Sequence, residues 1–399
     1  MSTWRLQSKL LVYFLAVGIL PFLIIGVLIE WEMRNNLEEQ EYNQLGGLRE
    51  VKKLQIEKFF KERRGDMGVI METVATLRHE AISKMEAVRQ IKAHEIKMHF
   101  ENKLAELEDV KRNLRFTGGV REMEDVFRYG VNSQQYKEAY DRRLPGFQSF
   151  EKSFRFYDVF LIDNSGNVVF TVEKEGDLGE NLLTGKLKDS GLARAFRDGR
   201  NRPVFIDYSW YDISNEPAAF LATPLYGSGG SVIGVAVFQM SLGEINTIMT
   251  QRNGMGKTGE TYLVGSDLLM RSDSYRDPTN HSVKASFQDP EKGKVDTEAA
   301  REALAGNAGA DVIIGFSGSP VVSAYAPLKI GNVTWAILAE IDVAEAFSPV
   351  DQNGNEYYKK YVELYGYYDL FLLNPDGHVF YTAAKESDLG TNMVNGKYA

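Results

Sequence analysis

The segment Asp207–Asp212 concentrates the residue types best suited to hold a small polar molecule. It reads DYSWYD, which places Tyr208, Trp210 and Tyr211 between two carboxylates at the end of a predicted strand. Alternate side chains of a strand share one face, and aromatic walls with a few charges suit a small polar organic ligand. The segment predicts ligand contact by all five residues: Asp207, Tyr208, Trp210, Tyr211 and Asp212. Packing of Trp210 and Tyr211 in the core or in a turn is the competing interpretation.

Two further groups of polar residues extend this prediction. Lys174, Glu175 and Asp177 recur later in the chain in the same order. The recurrence adds Lys174 and Asp177 to the candidate ligand-binding residues, with a structural ion pair or turn as the alternative. A second pocket is predicted to include Tyr262, Arg271, Asp273 and Tyr325, for which structural roles remain open.

The sequence carries no local signature of catalysis or of metal binding. Met255–Thr258 reads MGKT and resembles the end of a phosphate loop, but the first glycine of that motif is replaced by Gln251. Asp351–Asn355 resembles the start of a calcium loop, yet the required glycine is replaced by Glu356. The five histidines form no i,i+4 pair. We therefore expect neither enzyme activity nor a metal or cofactor.

Composition limits the remaining classes of function. The 399 residues contain 44% hydrophobic and 25% charged residues, which is typical of folded protein. A formal net charge of −9 disfavours a nucleic-acid binder, because phosphate binding needs clustered Lys and Arg. The absence of cysteine rules out a disulfide framework, a thiolate metal site and a cysteine nucleophile.

An uncharged segment near the N-terminus predicts a membrane anchor. Leu10–Ile29 contains 20 residues without a charge, which is enough for one bilayer crossing. Arg5 and Lys9 precede it, and Glu30 and Glu32 follow it, so the positive-inside rule leaves Met1 in the cytoplasm and the bulk of the chain outside. A cleaved signal peptide is the alternative.

A long helical region is predicted to follow the anchor. The sequence from Glu32 to Arg115 lacks proline and is rich in Glu, Lys, Arg, Leu and Met at helical spacing. Gly118 and Gly119 are expected to break it, and a second helical stretch is predicted to reach about Arg155. Amphipathic helices of this length need partner surfaces, so we expect a homodimer. Whether the region is one long stalk or a hairpin stays open.

Short apolar segments separated by turn residues predict two strand-helix-strand modules. The strands of the first module are expected at Val159–Ile162, Val168–Val172, Val204–Tyr208, Ala218–Pro224 and Val232–Met240, with a helix at Leu192–Arg197. Those of the second are expected at Thr261–Val264, Leu269–Ser272, Ala310–Phe316, Pro320–Pro327 and Thr334–Ile341, with a helix at Thr297–Ala305.

The end of the chain repeats the start of the first module. Tyr157–Lys186 aligns without gaps to Tyr368–Lys397, with 15 of 30 positions identical. The repeat predicts that a further copy of the module begins there. Since the repeat stops where the next helix and strands are expected, we expect the C-terminus to be truncated.

These segments resemble the double Cache sensor regions of bacterial signal transducers. The similarity is carried by KEGDLGENLLTG, GMGKTGETYLVGSDLLMRSD and SAYAPLKIGNVTWAILAEIDVAEAF, and it is strongest to methyl-accepting chemotaxis proteins. It implies an α+β fold with tandem PAS-like modules and antiparallel sheets, with a small ligand bound in the membrane-distal module. The amino-acid-binding subgroup carries an Arg-x-Trp-Tyr element that Lys174–Leu183 lacks, so an amino-acid ligand is not implied.

The expected organisation follows from the anchor, the helices and the resemblance. We expect a cytoplasmic leader and anchor at 1–31, a helical stalk at 32–135, the membrane-distal module at 136–250, a second module at 251–350 and the start of a repeated module at 351–399. The implied function is small-molecule sensing at the bacterial inner membrane, coupled through helices and a missing C-terminal region to cytoplasmic signalling proteins. Attachment to a receptor histidine kinase or a diguanylate cyclase is the alternative output.

Overall fold

Helices and antiparallel sheets make up the protein, which confirms the predicted α+β class. The computed structural model describes residues 6–350, 354–374 and 377–397. The predictions that rest on Arg5 and on the start of the Asp351–Asn355 loop lie outside these residues. The chain divides into two compact units, Met1–Ala75 and Thr76–Ala399.

The first unit is helical and contains the apolar segment. It belongs to helix α1, which spans Leu6–Val110. The large apolar side chains of Leu10–Ile29 are mostly exposed, as in Phe14 and Phe22. Among the described residues, this is the one helix long and apolar enough to cross a membrane.

The predicted helix break at Gly118 and Gly119 is wrong. The break lies at Lys111–Asn113, where the Asn113 side chain accepts a hydrogen bond from the amide of Arg115 and begins the next helix. Both glycines lie inside that helix. A Cβ on Gly119 would lie 3.0 Å from the Phe147 ring, so this glycine allows close helix packing.

Two helices and one five-stranded antiparallel sheet form the first module. The helices are α2 (Leu114–Phe127) and α3 (Gln134–Phe154), and α4 (Gly191–Gly199) lies against the sheet. The strands are β1 (Phe156–Asp163), β2 (Val168–Thr171), β3 (Val204–Tyr211), β4 (Glu216–Tyr226) and β5 (Val232–Met240). Their order is β2-β1-β5-β4-β3, and α5 (Leu242–Met249) leads out of the sheet.

A four-stranded antiparallel sheet forms the second module. Its strands are β6 (Glu260–Val264), β7 (Gly309–Ile314), β8 (Pro320–Ile330) and β9 (Val333–Asp342), in the order β6-β9-β8-β7. The helices between and after them are α6 (Val283–Gln288), α7 (Pro290–Gly293), α8 (Glu298–Leu304) and α9 (Val343–Ala346).

The strand predicted at Leu269–Ser272 is not formed. Met270 makes a single bridge to Val264, and Leu268 has a φ of 65°, which bends the chain before a strand can start. The Ser272 hydroxyl instead accepts a hydrogen bond from the amide of Leu263. Residues 269–272 therefore form an irregular segment that runs alongside β6.

The C-terminal segment repeats the shape of β1 and β2. It contains α10 (Tyr357–Tyr365), β10 (Phe371–Leu373) and β11 (Val379–Thr382). The β10–β11 pair has a register shift at the position equivalent to the shift between β1 and β2. Lys174 and Lys385 occupy equivalent positions and have φ angles of 56° and 55°. The sequence repeat is thus also a repeat of backbone conformation.

Candidate functional site

Tyr208 and Tyr211, which the sequence placed in one pocket, lie on opposite faces of the sheet. The pairing of β3 with β4 shifts between Ile206 and Ser209. Tyr208 therefore packs with Phe205 and Trp335 on one face of the sheet, whereas Tyr211 packs with Phe220 on the face covered by α4. The structure does not bring Tyr208 and Tyr211 together.

Asp207 lies at the contact between the two modules. Both of its carboxylate oxygens bind the guanidinium of Arg271, with Nε–Oδ1 and Nη2–Oδ2 distances of 2.9 and 3.0 Å. The indole Nε1 of Trp335 also donates to Oδ1 at 3.0 Å. Arg271 is only 2% exposed, so its guanidinium is shielded from water, whereas the Asp207 side chain is 22% exposed. Asp207 thus connects the first sheet to the second module.

The other predicted residues of this segment differ in burial. Tyr208 is buried, and its hydroxyl has no hydrogen-bond partner among the described residues. Trp210 is half-buried and lies opposite Pro217 of β4, while Asp212 is exposed just beyond the end of the strand. Ligand contact by these three residues stays a prediction.

Tyr211 and Asp177 form the polar centre of the face under α4. The Tyr211 hydroxyl donates to Oδ2 of Asp177 at 2.8 Å, and both side chains are buried. Lys174, by contrast, is exposed and places its ammonium group 4.4 Å from the centre of the Tyr140 ring. The structure therefore joins two of the predicted residues, Tyr211 and Asp177, and leaves Lys174 at the surface.

Sequence reasoning missed a buried carboxylate and amide beside this pair. Asp158 of β1 and Gln239 of β5 are partners across neighbouring strands and share the face that carries Tyr211. Oδ1 of Asp158 accepts from the amides of Val159 and Val172 at 2.6 and 2.8 Å. The signal in the sequence was an acid inside the apolar stretch YDVFLID, since a buried acid in a strand needs a specific partner.

Three buried oxygens of this region accept no hydrogen bond from the described residues. They are Oδ1 of Asp177, Oε1 of Gln239 and Oε2 of Glu175. We call Asp158, Glu175, Asp177, Tyr211 and Gln239 the first-sheet polar cluster. Buried acceptors without donors are costly. The first-sheet polar cluster is therefore suited to a molecule that donates hydrogen bonds.

Burial controls the protonation of the first-sheet polar cluster. It raises the pKa of Asp158 to about 8, with the charge of Asp177 adding to the effect. It also raises the pKa of Asp177 to about 6, although the Tyr211 hydroxyl opposes the shift. Asp158 is then largely protonated at neutral pH and Asp177 largely ionised. The ionised Asp177 carboxylate and several acceptors would face a bound molecule.

The four residues predicted for a second pocket bind separate partners. Tyr262 is fully buried beneath α8, while Arg271 is committed to Asp207. Asp273 accepts from the side chain of Asn246 and from the amide of Val283, both at 2.7 Å. Tyr325 is half-buried near the edge strand β7. The structure does not gather them into one pocket, and their role in ligand binding stays a prediction.

Metal binding receives no support from the described part of the chain. No group of three or more His, Asp or Glu side chains among these residues is arranged to hold an ion. The chemistry available at the first-sheet polar cluster is hydrogen bonding and charge pairing.

Comparisons with known proteins agree with the fold. The profile of a family described as the Cache domain matches residues 30–350. No curated protein matches the chain by sequence.

Several solved structures are similar in shape. The ligand-binding domain of the Pseudomonas fluorescens chemoreceptor CtaA with L-leucine has 14% identity and a TM-score of 0.44, covering 69% of this chain and 100% of that one. The sensor domain of the V. cholerae histidine kinase DctB has 12% identity and a TM-score of 0.46, covering 65% and 97%. An extracellular ligand-binding receptor from Desulfohalobium retbaense has 11% identity and a TM-score of 0.40, covering 64% of this chain but 40% of its own length. Similarities this low do not identify a ligand or an output.

Proposed function

This chain belongs to the Cache-domain family, a family of small-ligand sensor domains, and we propose that it is the extracytoplasmic sensing region of a bacterial chemoreceptor of the methyl-accepting type. It acts by binding and not by catalysis. The apolar start of α1 anchors it in the inner membrane, and the remainder of the chain faces outward. The chemoreceptor output is supported by the sequence similarity of the GETYLVG and SAYAPLKIGN segments.

The observation that carries the proposal is the set of unpaired buried acceptors in the first-sheet polar cluster. Asp177, Gln239 and Glu175 each present an oxygen without a donor. A small molecule with N–H or O–H donors would satisfy them, and a positively charged one would also pair with the Asp177 carboxylate. We therefore propose that the ligand is a small polar molecule with several donors, such as an organic amine.

Strand β3 offers a route for the signal. Its end carries Tyr211, which contacts Asp177, and its centre carries Asp207, which holds Arg271 of the second module. A ligand that draws Tyr211 and Asp177 together would bias the packing of β3, and the Asp207–Arg271 pair would pass the change to the second module. The helices then carry it toward the membrane.

The alternative outputs, a receptor histidine kinase or a diguanylate cyclase, share this outer region. Sequence encoded downstream distinguishes them, because a chemoreceptor requires a second membrane span and a long coiled-coil hairpin. A kinase requires a phosphoacceptor histidine and an ATP-binding domain.

A thermal-shift screen of the purified chain in lipid nanodiscs tests the ligand site. The panel contains small amines, polyols, organic acids and amino acids. We expect a stabilising hit among the amines, and a loss of that shift in Asp177→Asn and Tyr211→Phe. The exposed Asp189→Asn is the matched control and should respond as the wild type does. A hit whose shift survives both cluster substitutions would refute the proposed site.

A further inference from the structure

The short helix α5 (Leu242–Met249) lies where three parts of the protein meet. It follows β5 of the first sheet after a single residue, Ser241, and the chain beyond it leads to β6 of the second sheet. Its buried residues Ile245 and Met249 belong to one hydrophobic core with Phe100 of α1. Because α5 has eight residues and is about 12 Å long, its attachments to these three parts lie close together.

Two buried lysines hold α5 against α1. Nζ of Lys103 lies 3.2 Å from Oε2 of Glu244 in the first turn of α5, and it also donates to the carbonyl oxygen of Phe154 at the end of α3. Nζ of Lys92 donates to the carbonyl oxygen of Ile248 in the last turn of α5, at 2.6 Å. Both lysines are 6% exposed. They are about three turns of helix apart, which places them on the same face of α1.

A small displacement of α5 is expected to carry α1 with it. Shifts of packed helices are typically about 1–2 Å, which breaks a hydrogen bond without admitting water to a buried ammonium group. Each lysine would keep one partner outside α5, on Glu95 or on Phe154. An ammonium group nevertheless has three donors, and a buried donor that loses its partner is costly. Movement of α1 together with α5 retains the contacts between the two helices.

The second module holds α5 through different residues. The side chain of Asn246 donates to Oδ2 of Asp273 at 2.7 Å, and its oxygen accepts from the Asp273 amide at 2.8 Å. The hydroxyl of Thr261 on β6 donates to the carbonyl oxygen of Met249 at 2.7 Å. Oδ1 of Asp273 in turn accepts from the amide of Val283, the first residue of α6. The Asn246–Asp273 pair therefore connects α5 to the segment after β6 and to α6.

We propose that α5 is a coupling element through which a displacement of the second module reaches α1. Its attachments are Asn246 on the side of the second module and Lys92 and Lys103 on the side of α1. Since α1 also contains the apolar segment Leu10–Ile29, this coupling would join the sensing modules to the anchor of the proposed function. The coupling adds to the route through β3. It does not itself rest on the proposed function, because it can be measured without a ligand.

Hydrogen–deuterium exchange of the full chain in nanodiscs, read by mass spectrometry, tests the proposal from the second module. Asn246→Ala removes two hydrogen bonds to that module and leaves both lysines in place. We expect the amides of residues 92–106 in α1 to exchange at least about fivefold faster, because α5 then holds α1 less firmly. Asn280→Ala is the matched control and should leave α1 unchanged, since the Asn280 side chain bonds Asp277 within the second module.

The reverse experiment starts from α1. Lys92→Met keeps most of the length of the side chain and removes its ammonium group. We expect faster exchange of the amides of Asp273 and Val283, whose hydrogen bonds report on the attachment of α5. Coupling between two sites is reciprocal, so the effect should be about fivefold here as well. Lys97→Met is the matched control, because Lys97 lies on the same helix but is exposed and pairs with Glu101.

Two outcomes would overturn the proposal. Exchange of residues 92–106 at the wild-type rate in Asn246→Ala, with faster exchange of residues 272–284, would show that the attachment opens without affecting α1. Equal acceleration throughout the chain would show a loss of overall stability and no specific coupling. Should Lys92→Met fail to fold, Lys103→Met replaces it at the other end of α5, and the same results decide. No ligand is present in these measurements, so they can fail while the proposed function holds.

Discussion

Replacing Asp158 with asparagine should remove the pH dependence that this residue imposes on stability. The side chain is fully buried, and burial raises its pKa from 3.8 to about 8 in the folded protein. A carboxyl whose pKa is higher in the folded state stabilises that state at low pH, and this stabilisation is lost as the pH rises through the folded value. The wild type should therefore become less stable from pH 5 to pH 8.

The expected size follows from the two pKa values. One pKa unit corresponds to about 1.4 kcal/mol, so the Asp158 contribution falls by about 4 kcal/mol between pH 5 and pH 8. Asparagine resembles the protonated acid, because its Oδ1 can still accept from the amides of Val159, Val172 and Glu173. The side-chain NH₂ group of the introduced asparagine would face the Thr171 hydroxyl, which can rotate and accept a hydrogen bond from it.

Thermal unfolding of the full chain at pH 5, 6, 7 and 8 measures this contribution. We expect wild type and Asp158→Asn to melt at similar temperatures at pH 5, and the variant to melt about 8–16 °C higher at pH 8, given 2–4 °C per kcal/mol for a domain of this size. The exposed Asp212→Asn should follow the wild type throughout. Parallel melting curves for wild type and Asp158→Asn across the range would refute the assignment of a raised pKa.

Three further predictions concern packing and assembly. Asp207→Ala removes one partner of the two-point ion pair with the buried Arg271, and it should lower the unfolding free energy by about 3–5 kcal/mol. Asp267→Ala removes a carboxylate on the exposed side of the same guanidinium, and it should lower the unfolding free energy by less than about 1 kcal/mol. Urea unfolding measures both. Gly118→Ala should stabilise the protein by about 0.5–1 kcal/mol, because only a flexible arginine lies near the added Cβ. Gly119→Ala should destabilise it, because the added Cβ meets the Phe147 ring; a reversed order of the two melting temperatures would contradict the packing. The chain should sediment as a dimer at micromolar concentration, and a monomer with intact helices by circular dichroism would exclude the predicted helix pairing.

Much of the strand pattern was readable from the sequence, because turn residues bound the apolar segments. Val232–Met240 was predicted with its observed bounds, and Thr261–Val264 was short by one residue. The errors came from packing. A pair of glycines usually indicates the end of a helix, which is why Gly118 and Gly119 were predicted to break one. In the structure the two glycines face α3 and β1, and this packing cannot be read from the linear sequence.

The candidate site was harder to predict because it depends on register. Tyr208 and Tyr211 were placed in one pocket, although strand alternation puts residues three apart on opposite faces. The one-residue shift in β3 decides which face each takes, because it turns Tyr208 to the face of Phe205 and Tyr211 to the face under α4. The pairing of Asp158 with Gln239 joins residues 81 positions apart, and no local spacing encodes it. The Tyr211–Asp177 contact was within reach because both residues had already been singled out for their chemistry.

The two matching hairpins also bear on how the chain reaches its native state. The strand pairs β1–β2 and β10–β11 share a register shift, and Lys174 and Lys385 share a positive φ, in different surroundings, so most of the information for this conformation is local. Local contacts form early, and each hairpin can therefore act as a folding nucleus. The two hairpins, β1–β2 and β10–β11, have half of their residues in common, so they can compete for the same partner strand during folding. In the native structure, β5 pairs with β1 of the first hairpin. During synthesis, β5 leaves the ribosome before the second hairpin has been translated, so β1 can pair with β5 without competition. Refolding from denaturant removes that order, and it should yield a larger share of mispaired, aggregating chains.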